Sequence, residues 1–351
     1  MKDLLSNIKN VISAKWEKSL RIYLLIMFAF TILGVENATA QQVPLYSQYM
    51  MNGYLLNPAI AGAYGYTAIS LTAREQWLNI PQAPKTHALS FDTRLLKNSF
   101  ISSKRSIRKR RKSSARSGRV GLGGYIFNDK NGLIDRTGIQ LTYAYHLRMK
   151  KAQLSFGLSG QGYQFTVDKE QFRPFSNDDQ TLDNMDNAFF VPDANFGVYY
   201  VMEAFYAGLS INQLFESPFR LGDNSANRYE EMLRHYYLTA GYKIDINPRS
   251  RRKSNFSIEP SFLLKTNELL NTQLDINAKL YFDQKYWAGV SYRTGHAFAI
   301  LGGFKYDKYY FGYAFDYPLS SIRRYNYGSH EFIITARFGD NARRYRWLER
   351  F

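Results

Sequence analysis

Cysteine is absent from all 351 residues, which excludes disulfide stapling and any cysteine-bound zinc site. Histidine is scarce: His87, His146, His235, His296 and His330 make five, no two at ligand spacing, and no HExxH motif occurs. Metal-assisted hydrolysis therefore finds no footing, and no cofactor is implied. Beyond residue 40 no stretch approaches the roughly 20 apolar residues of a spanning helix. The one long apolar run, Ile22–Leu33, has 12 residues. It follows Lys2, Lys9, Lys15, Lys18 and Arg21 and precedes Ala38-Thr39-Ala40, the order of a secretory signal peptide. Residues 1–40 are accordingly read as a signal, with an uncleaved anchor extending to Val35 as the alternative.

An exported chain without disulfides or zinc must be held together by its own topology. A soluble secreted protein satisfies that condition. So does a transmembrane β-barrel, whose strands hydropathy windows barely register. Twenty-eight tyrosines and 25 phenylalanines exceed what a polar secreted domain needs, and they alternate with period two, as strands do. In YYFGYAFDYP, Tyr309, Phe311, Tyr313, Phe315 and Tyr317 share one face, and Gly312, Ala314 and Asp316 the other. In QLDINAKLYF, Leu274, Ile276, Ala278, Leu280 and Phe282 oppose Gln273, Asp275, Asn277 and Lys279. A lipid-facing wall around a wet lumen gives this asymmetry; a soluble β-sandwich also has one wet face, so alternation alone does not separate them. Strand number and length favour the barrel, the only sheet that leaves no edge unpaired in lipid.

Fourteen candidate strands follow: 67–74, 86–94, 119–128, 137–148, 152–165, 193–201, 204–213, 235–245, 255–265, 272–283, 286–293, 297–306, 309–318 and 329–338. Merging or splitting one pair gives 12 or 16. The predicted fold is an all-β, antiparallel transmembrane barrel over 67–338. Residues 41–66 form a segment packed in or against the lumen, and 339–351 a basic-aromatic tail. Glycines on the lumen side (Gly121, Gly123, Gly157, Gly208, Gly241, Gly289 and Gly312) relieve crowding or permit bending.

Charge is segregated. The expected periplasmic connection after the second strand carries nine bases and no acid: Lys104, Arg105, Arg108, Lys109, Arg110, Arg111, Lys112, Arg116 and Arg119. On the opposite end Asp168–Asp186 holds six acids against two bases. Nucleic acid is the reflex reading of such a basic run and does not suit an exported barrel. A solvated loop near anionic headgroups or an electrostatic contact for an acidic periplasmic partner does.

The segment after the signal, QQVPLYSQYMMNGYLLNPAIAGAYGY, has no ligand set and no activated nucleophile. Its Tyr, Asn and Gln do not alternate cleanly with apolar residues, so it is no lipid-facing strand. Leu55, Leu56 and Ile60 suit inward packing, and Gln48, Asn52 and Asn57 suit polar groups of the lumen. The Asn57-Pro58 step predicts an extended bend. The segment reads as an interior plug or as part of a periplasm-facing partner surface.

SQYMMNGYLLNPAIAG (Ser47–Gly62) resembles the N-terminal signature of the PorP/SprF family of type IX secretion system membrane proteins. REQWLNIPQAPKTHALSFD (Arg74–Asp92), GLGGYIFNDKNGLIDRTGIQLTYAYHL (Gly121–Leu147), VPDANFGVYY (Val191–Tyr200), YAGLSINQLF (Tyr206–Phe215) and DYPLSSIRRYNYGSHEFIITARF (Asp316–Phe338) are similar to it in order. The resemblance covers essentially all of 41–338. It implies a non-enzymatic outer-membrane barrel of Bacteroidota, linked to type IX secretion and in some members to gliding motility. The implied partners are a cognate secreted surface protein or its C-terminal signal domain, periplasmic or outer-membrane secretion components, and outer-membrane lipid. A substrate-specific porin or transporter is the alternative. The signature residues carried over are Ser47, Gln48, Tyr49, Asn52, Asn57, Pro58, Ala59, Gly62, Arg74, Gln76, Trp77, Pro84, Lys85 and Thr86. Gly53 and the length of the basic run depart from the family pattern, Gly53 suggesting a looser segment.

Overall fold

Along the strands the apolar side chains point out and the polar ones point in, the inverse of a water-soluble core. In β1 (Thr67–Glu75) Ala68, Ser70, Thr72 and Arg74 are buried, while Ile69 and Leu71 are exposed. The computed structural model describes residues 44–95, 119–167, 188–216, 218–219, 230–246, 256–295 and 297–339. The signal, Lys104–Arg116, the acidic 168–187 connection and the tail from 340 lie outside the described residues.

The remaining strands are β2 (Lys85–Leu95), β3 (Val120–Asn131), β4 (Ile134–Arg148), β5 (Ala152–Val167), β6 (Ala188–Met202), β7 (Phe205–Asn212) and β8 (His235–Tyr242). They continue with β9 (Phe256–Asn267), β10 (Gln273–Phe282), β11 (Tyr286–Arg293), β12 (Ala297–Tyr306), β13 (Tyr309–Pro318) and β14 (Ser329–Phe338). Each pairs antiparallel with its sequence neighbours. β1 pairs with β14 from Thr67↔Phe338 to Glu75↔His330, closing a 14-stranded barrel. Closure satisfies every strand edge, the condition for backbone in hydrocarbon. Aromatic cross-strand pairs line the outer face, with Phe304 and Phe311 centroids 5.0 Å apart, as are Phe256 and Phe282.

Three departures from the expected boundaries exceed two residues. The β3–β4 connection, expected over 129–136, shrinks to a two-residue turn with Gly132 at φ 64°. Asp129, Lys130, Asp135 and Arg136 read as loop, yet Asp129 faces Arg136 and Lys130 faces Asp135 across the ladder. Opposite charges directly across strands stabilise the pairing, and Arg136 reaches Asp129 at 3.2 Å. β6 starts at Ala188 rather than 193, running through Pro192. That proline is tolerated because β6 pairs with β7 only from Phe196 onward, so its missing N–H deletes no β7 bond. β8 stops at Tyr242, with Ile244–Asp245 a separate short pairing to β9.

The turns at 149–151, 203–204, 283–285 and 307–308 lie at the end where β1 begins and β14 finishes. Longer connections such as 76–84 and 319–328 lie at the other. Short turns predominate at the periplasmic end of such barrels; these four, against the β3–β4 and β11–β12 turns at the other end, place the start of β1 there.

Candidate functional site

The lumen is occupied by the chain's own residues before β1. Ser47, Gln48, Tyr49, Tyr54, Asn57, Ala59, Ala61 and Ala63 are all at most 4 % exposed. The direction of this segment follows from its partners. Ser47 contacts residues at the outer ends of their strands: Arg74 in β1, Asp316 in β13 and Glu331 in β14. Ala61 and Ala63 contact His146, Arg94 and Gln153, at the periplasmic ends of β4, β2 and β5. Ser47 to Ala63 thus descends the lumen from the outer half to the periplasmic end, where the chain turns into β1.

At the outer end the segment is held by charge. The Ser47 and Gln48 backbone N–H groups donate to the two oxygens of one carboxylate, Glu331, at 2.6 and 2.8 Å. Ser47 Oγ donates to Asp316 at 2.6 Å and accepts from Arg74 at 2.9 Å. Arg74 also pairs with Asp316 at 2.7 Å and Glu331 at 3.0 Å, and Arg293 pairs with Asp275 at 3.0 Å. Two guanidiniums and three carboxylates, each at most 5 % exposed, leave one net negative charge. Oriented amide N–H dipoles and a hydroxyl from the segment meet it, which is how buried charge is tolerated. Removing one member of such a network costs far more than the network contributes, because its partners stay buried.

Mid-lumen, Asn57 is extended (φ −137°, ψ 112°), as the Asn57-Pro58 step predicts. Its Oδ1 accepts the Ala59 N–H at 2.9 Å, while Nδ2 donates to the carbonyls of Val198 and Leu209 at 3.0 and 3.2 Å. Those two residues face each other across β6 and β7. Asn52 donates to Ser90 at 2.9 Å, Tyr54 OH lies 2.7 Å from Thr142 Oγ1, and Tyr49 OH accepts from Asn277. At the lower end Gly62, at φ 66°, turns the chain against β2 and donates its N–H to Asp92 at 2.9 Å. A Cβ there would strike the Thr93 carbonyl, and L residues avoid that backbone region.

The wall is shaped to this segment. A Cβ on Gly157 would collide with the backbone of Pro58–Ala59, on Gly121 with the Ala61 carbonyl, and on Gly197 with the Asn57 side chain. The expectation that lumen glycines relieve crowding is thereby made specific: Gly121 and Gly157 seat a second stretch of backbone. Gly53, expected to loosen the segment, instead opens a 3-10 turn (Gly53–Leu55), with Ile60 Cδ1 2.9 Å from where its Cβ would be.

The signature residues consequently fall into two groups. Ser47, Gln48, Tyr49, Asn52, Asn57, Pro58 and Gly62 lie in the lumen, with Arg74 reaching them from β1. Gln76, Trp77, Pro84, Lys85 and Thr86 shape the outer β1–β2 hairpin and its flank. Gln76 N–H bonds the Pro84 carbonyl at 2.9 Å, Trp77 N–H bonds Ser329 Oγ at 3.2 Å, and Thr86 donates to Asp129 at 2.6 Å. Lys85 makes an exposed pair with Glu75. Three non-glycine residues of this hairpin, Trp77, Asn79 and Gln82, have positive φ. Of the basic run only Arg119 is described; it precedes β3 and donates to Tyr145 OH at 3.3 Å. Sequence reasoning did not identify Asp316, Glu331 and Arg293 as the clamp on Ser47. Their signal was a charged residue on the inward positions of otherwise apolar-alternating strands. Among the described residues no group of three His, Asp or Glu side chains is arranged to hold a metal.

A family model described as type IX secretion system membrane protein PorP/SprF matches residues 38–336. No curated protein matches the chain. Solved structures with similar coordinates include the Acinetobacter baumannii outer membrane protein Omp33, at 6 % identity and TM-score 0.40, covering 79 % of this chain and 98 % of that one. The monoaromatic hydrocarbon channel TodX is 10 % identical, with TM-score 0.40 and coverage of 82 % and 93 %. Haemophilus ducreyi BamA lacking POTRA domains 1–3 is 9 % identical, with TM-score 0.39 and coverage of 78 % and 70 %.

Proposed function

The chain belongs to the PorP/SprF family of type IX secretion system membrane proteins, and from that premise we propose that it serves, without catalysis, as the outer-membrane site where particular cognate surface proteins are secreted or anchored. What supports this reading over a diffusion channel is the lumen. Ser47–Ala63 threads it and is bonded to the wall at both ends. A conducting pore needs an open polar path; an anchor does not. The basic connection between β2 and β3 supplies an electrostatic contact for acidic periplasmic components of the same system. Such contacts act mainly on association rate and partner choice. The outer hairpin carrying Gln76, Trp77, Pro84, Lys85 and Thr86 offers a structured surface to the exported protein.

Affinity capture of the intact outer-membrane complex, followed by peptide identification, tests the proposal. The expected result is a large surface protein and periplasmic secretion components, the latter reduced when the nine bases from Lys104 to Arg119 are replaced by glutamine. Recovery of the barrel alone after gentle extraction and cross-linking would overturn it.

A further inference from the structure

The lumen is not filled evenly. A cavity of about 120 Å³ lies between the N-terminal segment and the wall. Tyr66, Arg337 and Gly339 line it at the periplasmic end, and Tyr64, Tyr206 and Glu259 of β9 are among its other lining residues. One water needs roughly 10–15 Å³ of such space, so the cavity has the capacity of a side chain rather than of a folded domain.

Its chemistry is uneven as well. Tyr64 and Tyr66 stack with centroids 5.8 Å apart and planes 10° from parallel, and Tyr199 and Tyr206 lie 6.1 Å apart. Tyrosine faces attract cations. The rim already uses that property, with the Arg337 guanidinium 4.8 Å from the Tyr66 centroid and 4.0 Å from that of Tyr310. Glu259 is 2 % exposed. Its Oε1 lies 3.4 Å from Tyr206 OH, and its Oε2 has no hydrogen-bond partner among the described residues. Lys279 stands opposite Glu259 in the β9–β10 register and carries its ammonium over the Tyr281 ring at 5.2 Å. A buried carboxylate oxygen without a donor is costly, and a cation entering between the tyrosines would relieve that cost.

We propose that this cavity binds one alkylammonium or guanidinium head on a slim apolar stem, presented as a lysine or arginine side chain by an extended peptide from the periplasm. Glu259 takes the charge, and the tyrosine rings flank the stem. Free alkylamines share this chemistry and are the other source. The site is a property of the purified barrel and holds whether or not the peptide is exported cargo, so this inference and the secretion role fail separately.

Carboxyfluorescein-Gly-Gly-Lys-Gly-Gly-amide, labelled at its N-terminal amine so that the lysine side chain stays free, its norleucine counterpart and n-butylammonium are titrated against the full-length barrel in detergent. The lysine peptide is expected to bind at least about tenfold more tightly than the norleucine peptide. That preference should vanish in Glu259→Gln, and binding should be lost in Ala68→Phe, which fills the cavity from β1 without altering charge. Heat-modifiable gel migration reports whether each variant is folded, and either folded variant suffices. Equal affinity for the two peptides overturns the proposal, as does lysine-peptide binding undiminished in a folded variant. Saturation by n-butylammonium with no binding of the lysine peptide overturns the peptide as source.

Discussion

Ser47 donates its backbone N–H to Glu331 at 2.6 Å although 284 positions separate them in the chain. That bond joins the segment before the first strand to the last strand, inside the barrel and near its outer end. Arg74 lies beside both, bonded to Ser47 Oγ at 2.9 Å and to Glu331 at 3.0 Å. The segment is thus built into the charge balance of the wall.

Arg74→Ala removes the one guanidinium that bonds both Asp316 and Glu331, leaving three buried carboxylates, Asp275, Asp316 and Glu331, against Arg293. Breaking a buried pair from one side costs about 3–5 kcal/mol. A clear fall in the temperature at which the barrel loses its heat-modifiable gel migration is expected. Arg74→Met with Glu331→Gln, which removes charge of both signs, should recover part of it.

Gly157→Val places a side chain where Pro58–Ala59 runs. The wall itself can accept it, since valine favours strands, so the barrel should assemble with its N-terminal segment displaced. Limited proteolysis checks this: bonds between Tyr46 and Tyr66, protected in the parent, become cleavable. Continued protection in the folded variant would contradict the seating described for the wall glycines.

Deletion of residues 44–64 should raise single-channel conductance in planar bilayers several-fold over a nearly silent parent. Conductance already present in the parent and unchanged by the deletion would favour the porin or transporter reading.

Much of the barrel was legible before its coordinates, because lipid outside and water inside impose period two on every strand. β11, β12, β13 and β14 keep the boundaries read from their alternation. Legibility failed where local composition and tertiary partners disagree, as at Asp129–Arg136, where four charges read as loop but pair across a hairpin. In the lumen the residue types were readable and their partners were not. Nothing local says that Asn57 bridges the carbonyls of Val198 and Leu209, or that Gly197 is small for Asn57 rather than for a bend. Those contacts exist only in the closed barrel, between residues far apart in the chain, and sequence separation hides them.

Selectivity for particular cargo is what distinguishes the proposed role from that of a general secretion component. Quantitative proteomics of the cell surface and medium, comparing parent with a gene deletion, tests it most directly. One or a few large surface proteins should be missing from the surface, retained inside or shed unattached, while other type IX cargo is secreted at parental levels. Simultaneous loss of all such cargo, or an unchanged surface proteome, would contradict the account.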